Sequence, residues 1–194
     1  MTTNAKKAAL LELAGTIHSR SDWWLFPTQD SIQGCMGTGP IFIVGDQPST
    51  DEWPPEHPNR KVFYETLQKV GLQNAHLTDL YKKRGLSSGL ERGLPEDFPN
   101  HVDFFRKEIQ ILQPTLIVGL GQLAQRLLIQ NVKSWTRTIP RIWHFSYVVR
   151  ARKEMSYEAN MREMILKPAT DNCFNSEGRS ASFPQQIETR TLTP

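Results

Sequence analysis

Acidic residues are missing from a long central stretch of this 194-residue chain: between positions 109 and 153 there is no Asp or Glu. The same window holds Arg126, Lys133, Arg137, Arg141, Arg150, Arg152 and Lys153, a local charge of +7 that, against a net +3, leaves −4 elsewhere. Such asymmetry is the footprint of a surface that meets a polyanion, although a solvated basic face has the same composition. Cysteine is scarce. Cys35 and Cys173 are too few and too far apart for a disulfide framework, a zinc site or a cluster, and they suit a reducing, cytoplasmic setting. Long apolar runs are also absent: nowhere do 18 apolar residues follow one another, so no membrane span is expected. Residues 1–20 are polar and lack an apolar core and a small-residue cleavage site, so they read as a helical arm and not as a secretory signal.

What is present is an alternation of short apolar runs and helix-period segments. Strands are expected at 41–44, 75–80, 115–119 and 139–145, each short and several bounded by Gly or Pro. Helices are expected at 6–17, 59–70, 101–112, 122–130 and 156–166. In the second of these Val62, Phe63, Thr66, Leu67 and Val70 share a face, and Gly71 is placed to cap its end. Strands alternating with helices imply a three-layer α/β/α sandwich around a central, mainly parallel sheet of about four strands. The length suits one such domain. It is read as an N-terminal helical arm at 1–38 packed on the body, an α/β domain at 39–167, and a polar tail at 168–194. The aromatic cluster Trp23-Trp-Leu-Phe26 is expected to dock the arm.

Polar residues gather after the strands. Asp46 and Gln47, stiffened by Pro48, follow the first. Asp79, with Lys82, Lys83 and Arg84, follows the second, and His144 and Ser146 close the fourth. In a parallel sheet those ends share one edge, where open α/β folds build their sites. Each residue also has an ordinary structural explanation: a helix cap for Asp46, an ion pair for Asp79, a hydrogen-bonded core histidine for His144.

The motifs in order resemble those of the uracil-DNA glycosylase superfamily. Gly45-Asp-Gln-Pro-Ser49 is similar to its first motif. Glu56-His-Pro-Asn-Arg60, followed by Phe63 and Gly71, is similar to the mismatch-specific branch. Leu77-Thr-Asp-Leu80 and Gln113-Pro-Thr-Leu-Ile-Val-Gly-Leu-Gly121 resemble its second and third strands, and His144-Phe-Ser146 falls at its second active-site motif. The chain departs from the family at Gln47, where some branches have Asp or Asn, and at the bulky Phe145. It also lacks the four cysteines of the iron–sulfur branches.

The resemblance implies a base-excision enzyme that flips a damaged or mismatched base out of DNA, duplex or single-stranded, and hydrolyses its N-glycosidic bond. It implies catalytic roles for Asp46, Gln47 and His144, with Glu52 a weaker acidic candidate, and base contacts from Trp53, Asp79 and Ser146. DNA-backbone contacts would come from Lys82, Lys83, Arg84, Arg150, Arg152 and Lys153, and Tyr147 or Val148 would wedge into the vacated stack. No metal or cofactor is expected, and the protein is expected to act as a monomer. An ionised Asp79 would only accept hydrogen bonds and so favour a base edge rich in donors.

Two other readings stand beside this one. A nucleic-acid-binding module with the same fold and no catalysis would carry the same basic surface. The run Gly119-Leu-Gly-Gln-Leu-Ala124 also matches a dinucleotide fingerprint, but no acidic residue follows until Glu154, which leaves only an NADP variant using Arg141. The glycines equally suit a tight turn with close packing.

Overall fold

The computed structural model describes residues 1–18, 23–49, 54–84 and 89–166. Four strands, β1 (Ile41–Gly45), β2 (His76–Asp79), β3 (Leu116–Leu120) and β4 (Arg141–Ile142), form one sheet in the order β2-β1-β3-β4. All pairings are parallel, with Ile43 opposite Leu77 on one side and Val118 on the other. Helices α1 (Thr3–His18), α2 (Pro58–Lys69), α3 (Phe98–Leu112), α4 (Gln122–Asn131), α5 (Phe145–Arg150) and α6 (Glu154–Met161) surround it, and a π-helical turn, Arg162–Leu166, prolongs α6. The expected α/β sandwich is the one observed.

Strand alternation sorts the core into two layers. Ile43, Leu77, Val118 and Leu120 face α2, α5 and α6, where Phe63, Leu67, Val148, Tyr157 and Met161 are buried. Phe42, Val44, Leu80 and Ile117 face α3 and α4, against Phe105, Leu112, Leu127 and Leu128. The arm enters both layers: Leu10 of α1 joins the second, Phe26 and Ile32 the first. Lys6 Nζ also donates to the Leu112 carbonyl at 2.7 Å, completing the C-terminus of α3. The aromatic cluster docks as expected, with Trp23 stacked on His101 at 4.1 Å and edge-on to Phe104 at 5.6 Å.

Local chemistry sets the boundaries. Pro58 opens α2, where His57 Nδ1 accepts from the Asn59 amide at 3.3 Å, and Gly71 takes φ 76° just past its end. Helix α3 stops at Gln113, which is left-handed at φ 50° and precedes Pro114. The fourth strand is shorter than the 139–145 expected. It pairs only through Arg141 and Ile142, after which the Trp143 amide leaves the ladder to bond Asn160 Oδ1 at 2.9 Å. His144 is then the N-cap of α5, and Phe145 is helical. Among the described residues no helix is long and apolar enough to cross a membrane. Cys173 and the tail at 168–194 lie outside the described residues.

Candidate active site

Strand β1 lies between β2 and β3, and the helices that follow β1 and β3 depart to opposite faces of the sheet. The carboxyl ends of β1 and β3 therefore flank a crevice, the place where doubly wound sheets hold ligands. A half-enclosed cavity of about 270 Å³ occupies it. All four strand ends contribute: Gln47 after β1, Asp79 at the end of β2, Leu120 of β3 and His144 after β4. Its walls are aromatic. Phe63 is 6.3 Å from Phe26 and 5.2 Å from Phe145 between ring centroids, and all three line the space.

The backbone holds this edge firmly. Past the strand ends, the Leu80 amide donates to the Gly45 carbonyl and the Tyr81 amide to the Asp46 carbonyl, both at 2.9 Å. A Cβ at Gly45 would collide with Asp79 Oδ1, so the glycine gives the carboxyl its space. Asp79 is thus pressed against the β1 backbone, 4% exposed, and its Oδ2 has no hydrogen-bond partner among the described residues. Burial, then the neighbouring Asp46 charge, pushes its carboxyl well above the usual carboxylate range. The shift favours the protonated form, which presents both an O–H donor and a carbonyl acceptor. A carboxyl biased in this direction is less suited to act purely as an acceptor than the sequence alone suggests.

His144 is positioned by its own cap. Its Nδ1 accepts from the Ser146 amide at 3.2 Å, so that nitrogen carries no proton and a neutral ring must carry it on Nε2. Burial, with a contribution from Arg150, lowers the imidazole pKa to about 4, so the ring is neutral at physiological pH. The wall of the cavity therefore includes a neutral Nε2–H donor. Gly121, at φ 93°, lies under this ring: a Cβ there would sit 3.2 Å from His144 Cβ. A Cβ on Gly119 would sit 2.8 Å from Gln125 Cα of α4. Both glycines of the fingerprint-like run thus serve close packing.

Asp46 is not among the residues lining the cavity. Its carboxyl is largely buried beside the Gln47 turn, and desolvation, with Glu91 adding to it, raises its pKa from 3.8 to about 6. Because the folded state holds this proton more tightly than the unfolded chain, stability falls as pH rises between the two values. Asp46→Asn is accordingly expected to be more stable than the parent at about pH 8, by roughly 1–3 kcal/mol, with the difference closing near pH 4. Urea midpoints at the two pH values check this. A variant less stable than the parent at the higher pH would contradict the assignment.

The remaining expected residues divide. Ser146 does not line the cavity; its amide is capped by His144 Nδ1 and its Oγ lies 3.4 Å from Asn59 Nδ2. Trp53 and Glu52 lie outside the described residues. Lys82 is not available to DNA: it is fully buried, its Nζ donating to Thr78 Oγ1 at 2.6 Å, the Asp79 carbonyl at 2.8 Å and Glu108 Oε2 at 3.0 Å. Lys83 lies 3.5 Å from Asp97 Oδ2. Arg84 turns into the cavity, its guanidinium 5.0 Å from the Trp24 ring centroid. Arg150 and Arg152 are exposed, while Lys153 Nζ lies over the rings of Trp143 and Tyr147 at 5.0 and 5.2 Å. Val148 is fully buried and cannot wedge between bases, whereas Tyr147 is 39% exposed.

Sequence reasoning missed the arm as a wall of the site, since Trp24, Phe26 and Pro27 all line the cavity. It also missed Arg60, whose guanidinium lies 5.6 Å from the Tyr64 ring centroid, although Arg60 belongs to the His-Pro-Asn-Arg element. No protein-family model matches the chain, and no curated protein matches its sequence. Among the described residues no three His, Cys, Asp or Glu side chains are grouped to hold a metal ion.

Proposed function

We propose that the protein is a DNA glycosylase of the uracil-DNA glycosylase type, hydrolysing the N-glycosidic bond of a base flipped into the strand-end cavity. One observation carries the reading: a neutral His144, tautomerically fixed as an Nε2–H donor, stands on the wall of an aromatic, base-sized cavity. As the bond from C1′ to the base nitrogen breaks, negative charge moves onto the base and positive charge onto the sugar. His144 Nε2–H donates to a base oxygen as that charge develops, without itself being an acid that must lose a proton. Asp46, ionised above about pH 6, supplies negative charge at the Gln47 turn and favours the sugar cation. Gln47 orients the attacking water or the base. The aromatic walls accept the ring once it has left the stack.

Arg150 and Arg152 hold the DNA backbone in this reading. Helix α5 runs from the residue after His144 to Arg150, so its six residues span only ~9 Å from the cavity wall to the basic end. The exposed Tyr147 lies between them and fills the gap left by the flipped base. A monomer acting in the reducing cytoplasm suffices, and no cofactor takes part.

The test is a lesion panel: duplex and single-stranded DNA carrying uracil, hypoxanthine, xanthine or a T·G mismatch, incubated with protein and then treated with alkali to cut abasic sites. Cleavage at one or more of these lesions is expected, and none after heat-denaturing the protein. Salt-sensitive binding with no cleavage on any substrate would replace the enzyme with a binding module of the same fold.

A further inference from the structure

The polar complement of the cavity is unusual in sign. Two guanidinium groups, Arg60 and Arg84, line it, and the one carboxyl on its wall among the described residues is Asp79. Burial favours the protonated form of Asp79, and His144 is neutral and donates through Nε2. Two guanidinium groups against one carboxyl leave the enclosed space positively charged whichever form Asp79 takes, and rich in donors. Arg84 is one of these donors. Its Nε is buried with no partner among the described residues, and its guanidinium carbon lies over the Trp24 ring, 5.0 Å from the centroid. An arginine held by an aromatic face keeps its fork pre-oriented for a planar anionic acceptor.

We propose that the cavity selects a base that is anionic and rich in acceptors along its edge, with Arg84 as the specificity-determining contact. This inference rests on the glycosylase reading and names its substrate class. Among products of base deamination, xanthine fits: its second oxo group adds an acceptor and makes the ring acidic enough to ionise near neutral pH. Hypoxanthine is the matched control, with the same bicyclic shape, one oxo group and no charge. A donor-rich edge such as that of adenine would face the arginines with its own N–H groups and is disfavoured.

The experiment compares single-turnover excision from otherwise identical duplexes carrying xanthine or hypoxanthine, at one slightly alkaline pH, for the parent, Arg84→Met and Arg84→Lys. Using a ratio within each protein removes the intrinsic difference in bond lability once variants are compared with the parent. The xanthine-to-hypoxanthine ratio is expected to fall by about tenfold or more in Arg84→Met, the loss of one charge-assisted pair. Arg84→Lys, which keeps the charge without the fork, should fall between. An unchanged ratio in Arg84→Met overturns the inference and leaves the glycosylase reading standing. So does an equal loss on both duplexes with a shallower salt dependence, since Arg84 would then be a phosphate contact. Excision of neither base nor of any other lesion by the parent would remove both the inference and the reading beneath it.

Discussion

Replacing His144 with Ala is expected to slow base excision by about 10²–10³-fold while leaving affinity for lesion-containing DNA within a few-fold of the parent. The magnitude follows from removing one preorganised donor aimed at charge that exists mainly in the transition state. The pH profile gives the sharper test. His144 has a pKa near 4, because burial and Arg150 both disfavour the imidazolium. A protonated acid would make the rate fall as pH rises through the ordinary histidine range. A neutral donor makes no such demand, and the rate instead climbs as Asp46 ionises around pH 6 and then levels. Single-turnover rates from about pH 5 to 8 on the best lesion decide between them. A falling limb near the usual histidine value, lost in His144→Ala, would show that the imidazolium is the working form. Asp46→Asn should remove the rising limb together with most of the rate, and the same substitution is the one expected to stabilise the fold. Stability gained where activity is lost is the signature of a buried charge kept for function.

The sheet was legible because its strands are short apolar runs set off by glycine or proline, and Ile41–Gly45 and Leu116–Leu120 leave little room for a helix. The convergence of Gln47, Asp79 and His144 on one edge follows from parallel strands alone. What could not be read was direction and environment. Lys82, Lys83 and Arg84 are three consecutive cations in the sequence, yet one is swallowed by the core, one lies beside Asp97, and one enters the cavity. Only the fold decides this, since Lys82 meets Glu108, which arrives from α3. Asp79 similarly reads as an ordinary carboxylate until Gly45 and Asp46 are packed against it. The end of β4 misled for a local reason: Ile139 to Phe145 is apolar enough for a strand, but the side chains of Asn160 and His144 capture the backbone amides that a longer strand would have paired.

Lys82→Met is expected to cost about 3–5 kcal/mol of folding stability, about a fifth or more of the roughly 5–15 kcal/mol a domain usually has. The ammonium is fully buried and all three of its protons are engaged within the protein. Glu108 is equally enclosed; burial alone would raise its carboxyl pKa, but Lys82 and then His76 more than reverse this and hold it ionised. His76 donates through Nδ1 to the Gly37 carbonyl at 3.2 Å and places Nε2 3.4 Å from Glu108 Oε1, while the Thr78 hydroxyl lies 3.1 Å from both Glu108 oxygens. Removing Lys82 therefore strands a carboxylate under α3 with weaker partners, and the desolvation cost of that charge falls on the native state. The double variant Lys82→Met, Glu108→Leu removes both charges and should regain most of the loss, as replacing a whole buried pair with apolar groups generally does. Urea midpoints of the parent, both single variants and the double variant give the coupling directly. The same set separates this lysine from the DNA-facing cations. Arg150→Ala and Arg152→Ala should leave the midpoint almost unchanged and reduce the salt dependence of DNA binding, each by roughly one phosphate contact. Should Lys82→Met instead fold with parental stability and lose DNA affinity alone, the buried network would not be what holds β2 to α3.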